Sequence, residues 1–468
     1  MRKGFCVLRA FGSAAKTRSM KQAWTTFAAR PVPRYTSYPT AADFAPDVAE
    51  AQAREWAASV AVDEPISVYI HVPFCEKLCF YCGCATSVPN GYGRIASYLE
   101  TLHEEIDLWS DALGTHAGMS QLHFGGGTPN ALSPEDFGQL VEHARIAFGR
   151  RADLQVAVEI DPRTLTPDFI DAMAAAGVTR VSFGVQTLSP KVQEAVGRIQ
   201  PRELLVDGIE RLRATGITAI NMDLMYGLPH QTVEDVVEAA YFAADMGTAR
   251  VSLFGYAHVP WFAKHQSAID EAALPGLEAR FQQAEAGAAT LVNAGFHAIG
   301  LDHFAAPGDS LTRAARNGTL HRNFQGYTDD PCDTLVGIGA TSISQFRQGY
   351  VQNLKARPLW RAAVEGKHLP SERGIALTDD DRLRARAIEK LMCQLWVDAD
   401  ATCQEMGAAP GALDDALETA RFLQSAGLCR IDGNIVSVPK EARLLLRTVA
   451  QCFDGRYKPA EARHAKAV

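Results

Sequence analysis

With 468 residues and a 47% hydrophobic composition, the chain has enough length and apolar content for one large globular domain and a smaller one, and no apolar run reaches bilayer-spanning length. Its 54 acidic residues outnumber 46 basic ones for a formal net charge of -8, which excludes a broad basic field for nucleic acid or an anionic membrane and leaves any anionic ligand to local arginines. Of ten cysteines, Cys6, Cys332, Cys393, Cys403, Cys429 and Cys452 are scattered singly, as befits small buried residues in a reducing, cytoplasmic setting.

Met1 to Lys21 is basic, lacks acids and has no signal-peptide core, so a disordered tail or a start placed upstream of Met20 is expected there. Thr25 to Ala45 carries three prolines and little periodicity, and reads as an extended arm. A strand over Ile66 to His71 then runs into a loop with Cys75, Cys79, Cys82 and Cys84. Thiolates select zinc, Cu(I) or iron-sulfur clusters. Structural zinc prefers two separated knuckles, and no second knuckle exists. The spacing of Cys75, Cys79 and Cys82 suits three corners of a cubane. Cys84 follows Cys82 by two residues and would need a tight loop to reach the far iron; if it does not bind, one iron stays open to a small molecule.

Short β-branched runs then alternate with helical patterns, which predicts an α/β fold with a parallel sheet. Six strands are expected: Ile66 to His71, Gln121 to Phe124, Leu154 to Ile160, Arg180 to Gly184, Ala219 to Met225 and Arg250 to Tyr256. Ser133-Pro134-Glu135-Asp136 opens a helix with a cap, a proline at its first position and acids in its first turn. Six curved units make most of a barrel, whose chemistry gathers at the strand C-termini. Polar or glycine residues stand there: Gly125-Gly126-Gly127-Thr128, Glu159 and Asp161, Gln186, Asp223, and Tyr256-Ala257-His258. Singly, each is as readily a tight turn or a helix cap; one on every successive rim position is harder to obtain from turn chemistry.

Further on, Pro275 to Gly295 reads as a helix, Phe296 to Ala305 as a strand with a polar mouth, and Leu320 to Thr328 as an exposed loop. Val336 to Ser344 suits a small-residue strand packed on a flat ligand, or a barrel-edge strand. Helical patterns over Asp379 to Leu395 and Gly411 to Gly427 precede a hairpin turning at Asp432-Gly433. That is the pattern of a small winged-helix-like domain, here without a dense basic recognition helix.

Tyr69-Ile70-His71-Val72-Pro73-Phe74-Cys75 and the cysteine spacing resemble the radical S-adenosylmethionine (SAM) superfamily. Cys82-Gly83-Cys84, the arm Arg34-Tyr35-Thr36-Ser37-Tyr38-Pro39-Thr40, Asp302-His303-Phe304-Ala305 and His321 to Thr328 narrow the resemblance to the oxygen-independent coproporphyrinogen III oxidases, over Pro33 to Tyr457. It implies a partial (β/α)6 barrel over 46–365, with a tail and active-site arm over 1–45 and a helical, winged-helix-like cap over 366–468. It further implies a [4Fe-4S] cluster on Cys75, Cys79 and Cys82, with Cys84 characteristic but not a ligand. Tyr69, Gly126, Glu159 and Ile343 match contacts of the cluster-bound SAM; Tyr81, Gly127, Thr128, Gln186, Arg198, Asp223 and Ala257 match those of a second SAM. For Arg198 the bland alternative is a surface arginine after a helix.

The implied reaction is oxidative decarboxylation of two propionates of coproporphyrinogen III to the vinyl groups of protoporphyrinogen IX, in haem biosynthesis. A 5'-deoxyadenosyl radical from SAM abstracts the hydrogen. Arg34, His258, His303 and Arg322 are the candidate partners of the tetrapyrrole carboxylates. An external flavodoxin- or ferredoxin-like donor, a single chain, and no nucleic-acid or membrane partner complete the expectation. The sequence departs from the family pattern at Phe80-Tyr81, whose order is reversed, at Thr187 where Asp is common, and at Gly197 where Asn is common. The rivals are a haem chaperone or haem-degrading methyltransferase, whose chaperone type generally lacks the arm and the Cys-Gly-Cys ending, and a DNA-binding iron-sulfur sensor, which needs the missing basic helix.

Overall fold

The computed structural model describes residues 19–458 and Ala467. The expectation for the basic tail falls mainly on residues 1–18, outside the described residues. Six strands follow one another as expected: β1 (Ile66–Val72), β2 (Met119–Gly126), β3 (Arg150–Ile160), β4 (Arg180–Gln186), β5 (Ala219–Tyr226) and β6 (Arg250–Gly255). Each lies parallel to the next. β1 is buried along almost its whole length, which is why it reads as an unbroken apolar run rather than an alternating one. The helix Pro134–Phe148 starts where the sequence puts it, with the Ser133 hydroxyl accepting from Asp136 N at 3.1 Å.

Beyond β6 the chain departs from a simple continuation. Phe296 to Ala305 is an antiparallel pair, β7 (His297–Ile299) and β8 (His303–Ala305), and β8 lies antiparallel on β6. Leu320 to Thr328 is a hairpin, β9 (His321–Asn323) and β10 (Gly326–Thr328), and its Tyr327 is buried with its hydroxyl on Met392 O at 2.9 Å. Its side chains pack against neighbouring elements that a local reading does not see.

β11 (Thr334–Ile338) pairs in parallel with β1, and β12 (Ile343–Phe346), β13 (Gly349–Asn353) and β14 (Ser371–Ala376) extend the sheet antiparallel. The twelve-stranded order is β14-β13-β12-β11-β1-β2-β3-β4-β5-β6-β8-β7. β11 is therefore an interior strand, not a barrel edge. β14 belongs to the same sheet, although its residues fall within the segment read as the cap. Behind β11, the buried Glu105 carboxylate accepts from Gly339 N at 2.9 Å, Asn353 Nδ2 at 2.6 Å and Trp360 Nε1 at 2.8 Å.

The C-terminal helices Asp379–Gln394 and Asp414–Ser425 pack with a three-stranded sheet of β15 (Trp396–Asp398), β16 (Arg430–Asp432) and β17 (Ile435–Ser437). Their apolar core also takes in Trp24, Phe27, Val32, Tyr35 and Tyr38 from the arm. The arm is not uniformly extended; it forms short helical turns at Gln22–Trp24, Thr25–Ala28 and Ala41–Asp43. Burial of its aromatic rings against the cap supplies order that local propensity does not. No helix among the described residues is long and apolar enough to cross a membrane.

Candidate cluster and cofactor site

The cysteine loop leaves β1 and crosses the C-terminal rim of the sheet. Its path is held by Cys75 N on Ser87 O at 3.1 Å and Phe80 N on Val196 O at 2.9 Å. Cys75 Sγ lies 3.1 Å from Thr86 Oγ1 and 3.6 Å from Thr128 Oγ1. Cys79 Sγ accepts from Arg163 Nη2 at 3.3 Å and Arg198 Nη1 at 3.5 Å. Cys82 Sγ accepts from Cys84 N at 3.4 Å. Hydrogen bonds from Cys84, together with the nearby His265 and the Arg198 guanidinium, outweigh burial and bring the Cys82 thiol down to about 6.

These donors and cations are what thiolate ligands require, so the loop fits an iron-sulfur cluster. No group of three or more His, Cys, Asp or Glu converges on a single-ion site among the described residues.

Gly126 and Gly127 lie where a side chain would meet neighbouring chain. A Cβ on Gly127 would lie 2.5 Å from both Phe74 O and Thr86 Oγ1, and one on Gly126, at φ +112, would lie 2.5 Å from the His71 ring. The glycines are needed because His71 of β1 presses against Gly126 and the cysteine loop against Gly127. His71 is fixed in turn, with Nε2 donating to Ala85 O at 3.0 Å and Nδ1 accepting from the Tyr69 hydroxyl at 3.1 Å.

Glu159 closes one side of the rim, 3.3 Å from His123 Nε2 and accepting from Gly126 N at 3.4 Å. In β5, Asp223 accepts from Ser182 Oγ at 2.7 Å and Asn221 Nδ2 at 2.8 Å; burial, with Glu159 nearby, raises its carboxyl above the usual range. Gln186 ends β4 at φ +64 beside a register shift, which turns the strand toward Arg198. Arg198 is only 6% exposed, so it is no surface arginine. It donates to Gly184 O at 2.7 Å and to Asp161 at 3.3 Å.

Two of the departures from the family pattern meet in one contact. Gly197 sits at φ +65 with the Phe80 ring 3.1 Å from where its Cβ would be, so the ring covers the space an Asn side chain would need. Tyr81 packs beside Val192, Val196 and Tyr256, and its carbonyl accepts from Gln266 Nε2 at 2.9 Å. Gln266 Nε2 also reaches Ala257 O at 3.3 Å, and His265 Nε2 donates to Cys82 O at 2.6 Å. The loop after β6 is thereby tied to the cysteine loop. Ile343 begins β12 across the rim and packs with Phe44, Tyr350 and Phe324.

Beyond Ala257 opens a cavity of about 1340 Å³, lined from the arm, β6, the β9–β10 hairpin and the cap. All four candidate carboxylate partners, Arg34, His258, His303 and Arg322, line it. His258 Nε2 donates to Glu271 at 3.0 Å, and its Nδ1 accepts from the Tyr256 hydroxyl at 2.8 Å. His303 donates to Asp302 at 2.8 Å; burial would raise the Asp302 carboxyl, but His303, Arg322 and Arg34 hold it at about 2. Arg322 donates to Tyr35 O at 3.0 Å and stacks on Tyr327, and its Nη1 is buried without a partner.

Three further arginines line the cavity that local sequence does not single out: Arg280, Arg443 and Arg447. Arg280 donates to Tyr256 O at 2.8 Å, and Arg447 to Val32 O at 3.2 Å and Ala467 O at 2.7 Å. Burial, together with the repulsion of Arg34 and Arg322, brings the Arg447 guanidinium down to about 10. A four-residue spacing of Arg443 and Arg447 is the one signal available in advance, and it is shared by many helices.

Residues 69–243 match the radical SAM superfamily. A cysteine loop at the C-terminal rim of six parallel βα units, closed by Glu159, Asp223 and Arg198, thus defines a radical SAM enzyme. Over 437 residues the chain is 43% identical to the oxygen-independent coproporphyrinogen III oxidase of Bradyrhizobium diazoefficiens, covering 93% of this chain and 97% of that one. It is 37% identical over 424 residues to the Salmonella typhimurium protein of the same name, covering 90% and 92%. The solved Escherichia coli coproporphyrinogen III oxidase, described as a radical SAM enzyme, superposes with a TM-score of 0.86 at 35% identity over 91% of this chain and 98% of that one. The chain belongs to the oxygen-independent coproporphyrinogen III oxidase family.

Proposed function

We propose that this chain oxidatively decarboxylates two propionates of coproporphyrinogen III to the vinyl groups of protoporphyrinogen IX without oxygen. The observation that carries the reading is the cavity beside Ala257, where five arginines, Arg34, Arg280, Arg322, Arg443 and Arg447, face three carboxylates, Glu271, Glu285 and Asp302. A large apolar ligand edged with several carboxylates matches that excess of guanidinium, since arginine pairs with carboxylate in a planar fork.

When bound, the cluster and SAM supply the hydrogen abstraction that starts the reaction. Cys75, Cys79 and Cys82 would hold the cluster, and Tyr69, Gly126, Glu159 and Ile343 the SAM on it. Tyr81, Gly127, Thr128, Gln186, Arg198, Asp223 and Ala257 would hold a second SAM, whose methionine carboxylate would share Arg198 with Asp161. The arginines fix the propionates, while the arm and cap keep water from the rim. Each propionate loses one hydrogen atom, CO2 and one further electron, so the chemistry needs an acceptor as well as a one-electron donor of flavodoxin or ferredoxin type. We take the working unit as a single chain in the cytoplasm.

The test is an anaerobic assay of cluster-reconstituted protein with SAM, reductant, acceptor and coproporphyrinogen III, following protoporphyrin after oxidation. Vinyl product with matching CO2 is expected. SAM cleavage without vinyl product, together with tight haem binding, would replace this reading by a haem-handling one.

A further inference from the structure

Beside Cys79 lies a group of buried charges of which the family contacts account for Arg198 alone. Asp161 ends β3 and accepts from Arg163 N at 3.0 Å, which opens the turn Pro162–Thr164 and fixes where the Arg163 side chain starts. Arg163 Nη2 donates to Asp161 Oδ2 at 2.6 Å and Nε reaches both carboxylate oxygens, at 3.0 and 3.1 Å. Arg198 pairs with the same carboxylate from the other side at 3.3 Å. The side chains of Asp161, Arg163 and Arg198 are 7%, 12% and 8% exposed. Two guanidinium groups thus share one carboxylate, which leaves one positive charge uncompensated by that carboxylate, and both guanidiniums donate to Cys79 Sγ, at 3.3 and 3.5 Å.

From this geometry we infer that Arg163 is a positioning residue that sets the reduction potential of the cluster through its hydrogen bond to Cys79. The inference rests on Cys79 being a cluster ligand. A cluster gains one negative charge on reduction, and hydrogen bonds and positive charge at a ligating sulfur stabilise that charge, more so in a site largely withdrawn from water. Arg163 supplies both. Asp161 holds the guanidinium in the one orientation that lets Nη2 reach the sulfur, and without Asp161 the long side chain has no reason to stay there. Arg198 cannot substitute fully, because its Nη2 and Nε are committed to Gly184 O and Gln200 Oε1.

The test is a potentiometric titration of the reconstituted full chain without SAM, read by the EPR signal of the reduced cluster, on the unaltered protein, Arg163→Gln and Arg163→Lys. Arg163→Gln should keep the iron and sulfide content and move the midpoint to lower potential. Arg163→Lys, which keeps the charge and loses the fork, should fall between the two. An unchanged midpoint in a fully loaded Arg163→Gln variant would overturn the inference while leaving the ligand assignment standing. If Arg163→Gln does not retain its cluster, Arg163→Lys decides: an unaltered midpoint there sinks the idea and a lowered one supports it. Absence of a four-iron signal in the unaltered protein would instead remove the ligand reading on which the inference depends.

Discussion

The cluster rim and the neighbouring cavity use arginine in opposite ways. At the rim, Arg163 and Arg198 are clamped on the buried carboxylate of Asp161, and further donors of theirs go to the Cys79 sulfur, to Gly184 O and to the Gln200 side chain. In the cavity, Arg280, Arg322, Arg443 and Arg447 donate to backbone carbonyls, and guanidinium outnumbers carboxylate along the walls. The rim charges are paired with one another. In the cavity five guanidiniums face three carboxylates, and burial depresses the guanidinium of Arg447. Under the proposed function, the cavity is the place for a carboxylate-rich substrate and the rim the place for a cofactor held in one position.

The comparison breaks most severely if the rim is not a cluster site. Cys79→Ser should abolish cluster-dependent SAM cleavage while the far-ultraviolet circular dichroism stays near that of the unaltered protein; full cleavage by that variant would refute the ligand assignment. Next in size, Arg322→Gln should weaken coproporphyrinogen III binding by about tenfold, the low end for a charge-assisted hydrogen bond, and leave substrate-free SAM cleavage intact. Arg34 is exposed, so Arg34→Ala should cost only about threefold in the same binding measurement. Equal losses from the two would mean that burial does not rank the cavity arginines.

In the core behind β11, Glu105 anchors the turn at Gly339. Burial pushes its carboxyl up to about 7 against the pull of its Gly339, Trp360 and Asn353 donors. An unfolded glutamate titrates at about 4.3, so between there and about 7 the folded state binds the proton more tightly, and stability falls as pH rises through that window. Denaturant unfolding at several pH values should show a flatter slope for Glu105→Gln, and an identical slope would exclude Glu105 as its source. The smallest effect is a control outside both regions. Ser133→Ala removes a helix cap and should lower stability by about 1 kcal/mol without moving cluster content or substrate binding.

Much of this was readable from sequence because it is local. The apolar run of β1, the capping signal at Ser133 and the cysteine spacing are encoded within a few residues of where they act, and six successive βα units leave few arrangements other than a curved parallel sheet. Rim residues such as Gly126, Glu159 and Gln186 follow from that sheet, because they lie at or next to strand C-termini.

The tertiary structure decided what depends on distant chain. β11 lies beside β1 rather than at an edge because strands far apart in sequence meet there, and the polar stretch at 320–328 becomes a hairpin because Tyr327 finds a buried partner in the cap. Arg163 touches Cys79 across 84 positions, and the cavity gathers Arg34, Arg280 and Arg447 from the arm, the barrel wall and the cap. Electrostatics depends on distance in space. A guanidinium's neighbours, and hence whether it tunes a sulfur or waits for a carboxylate, are set only once the chain has folded.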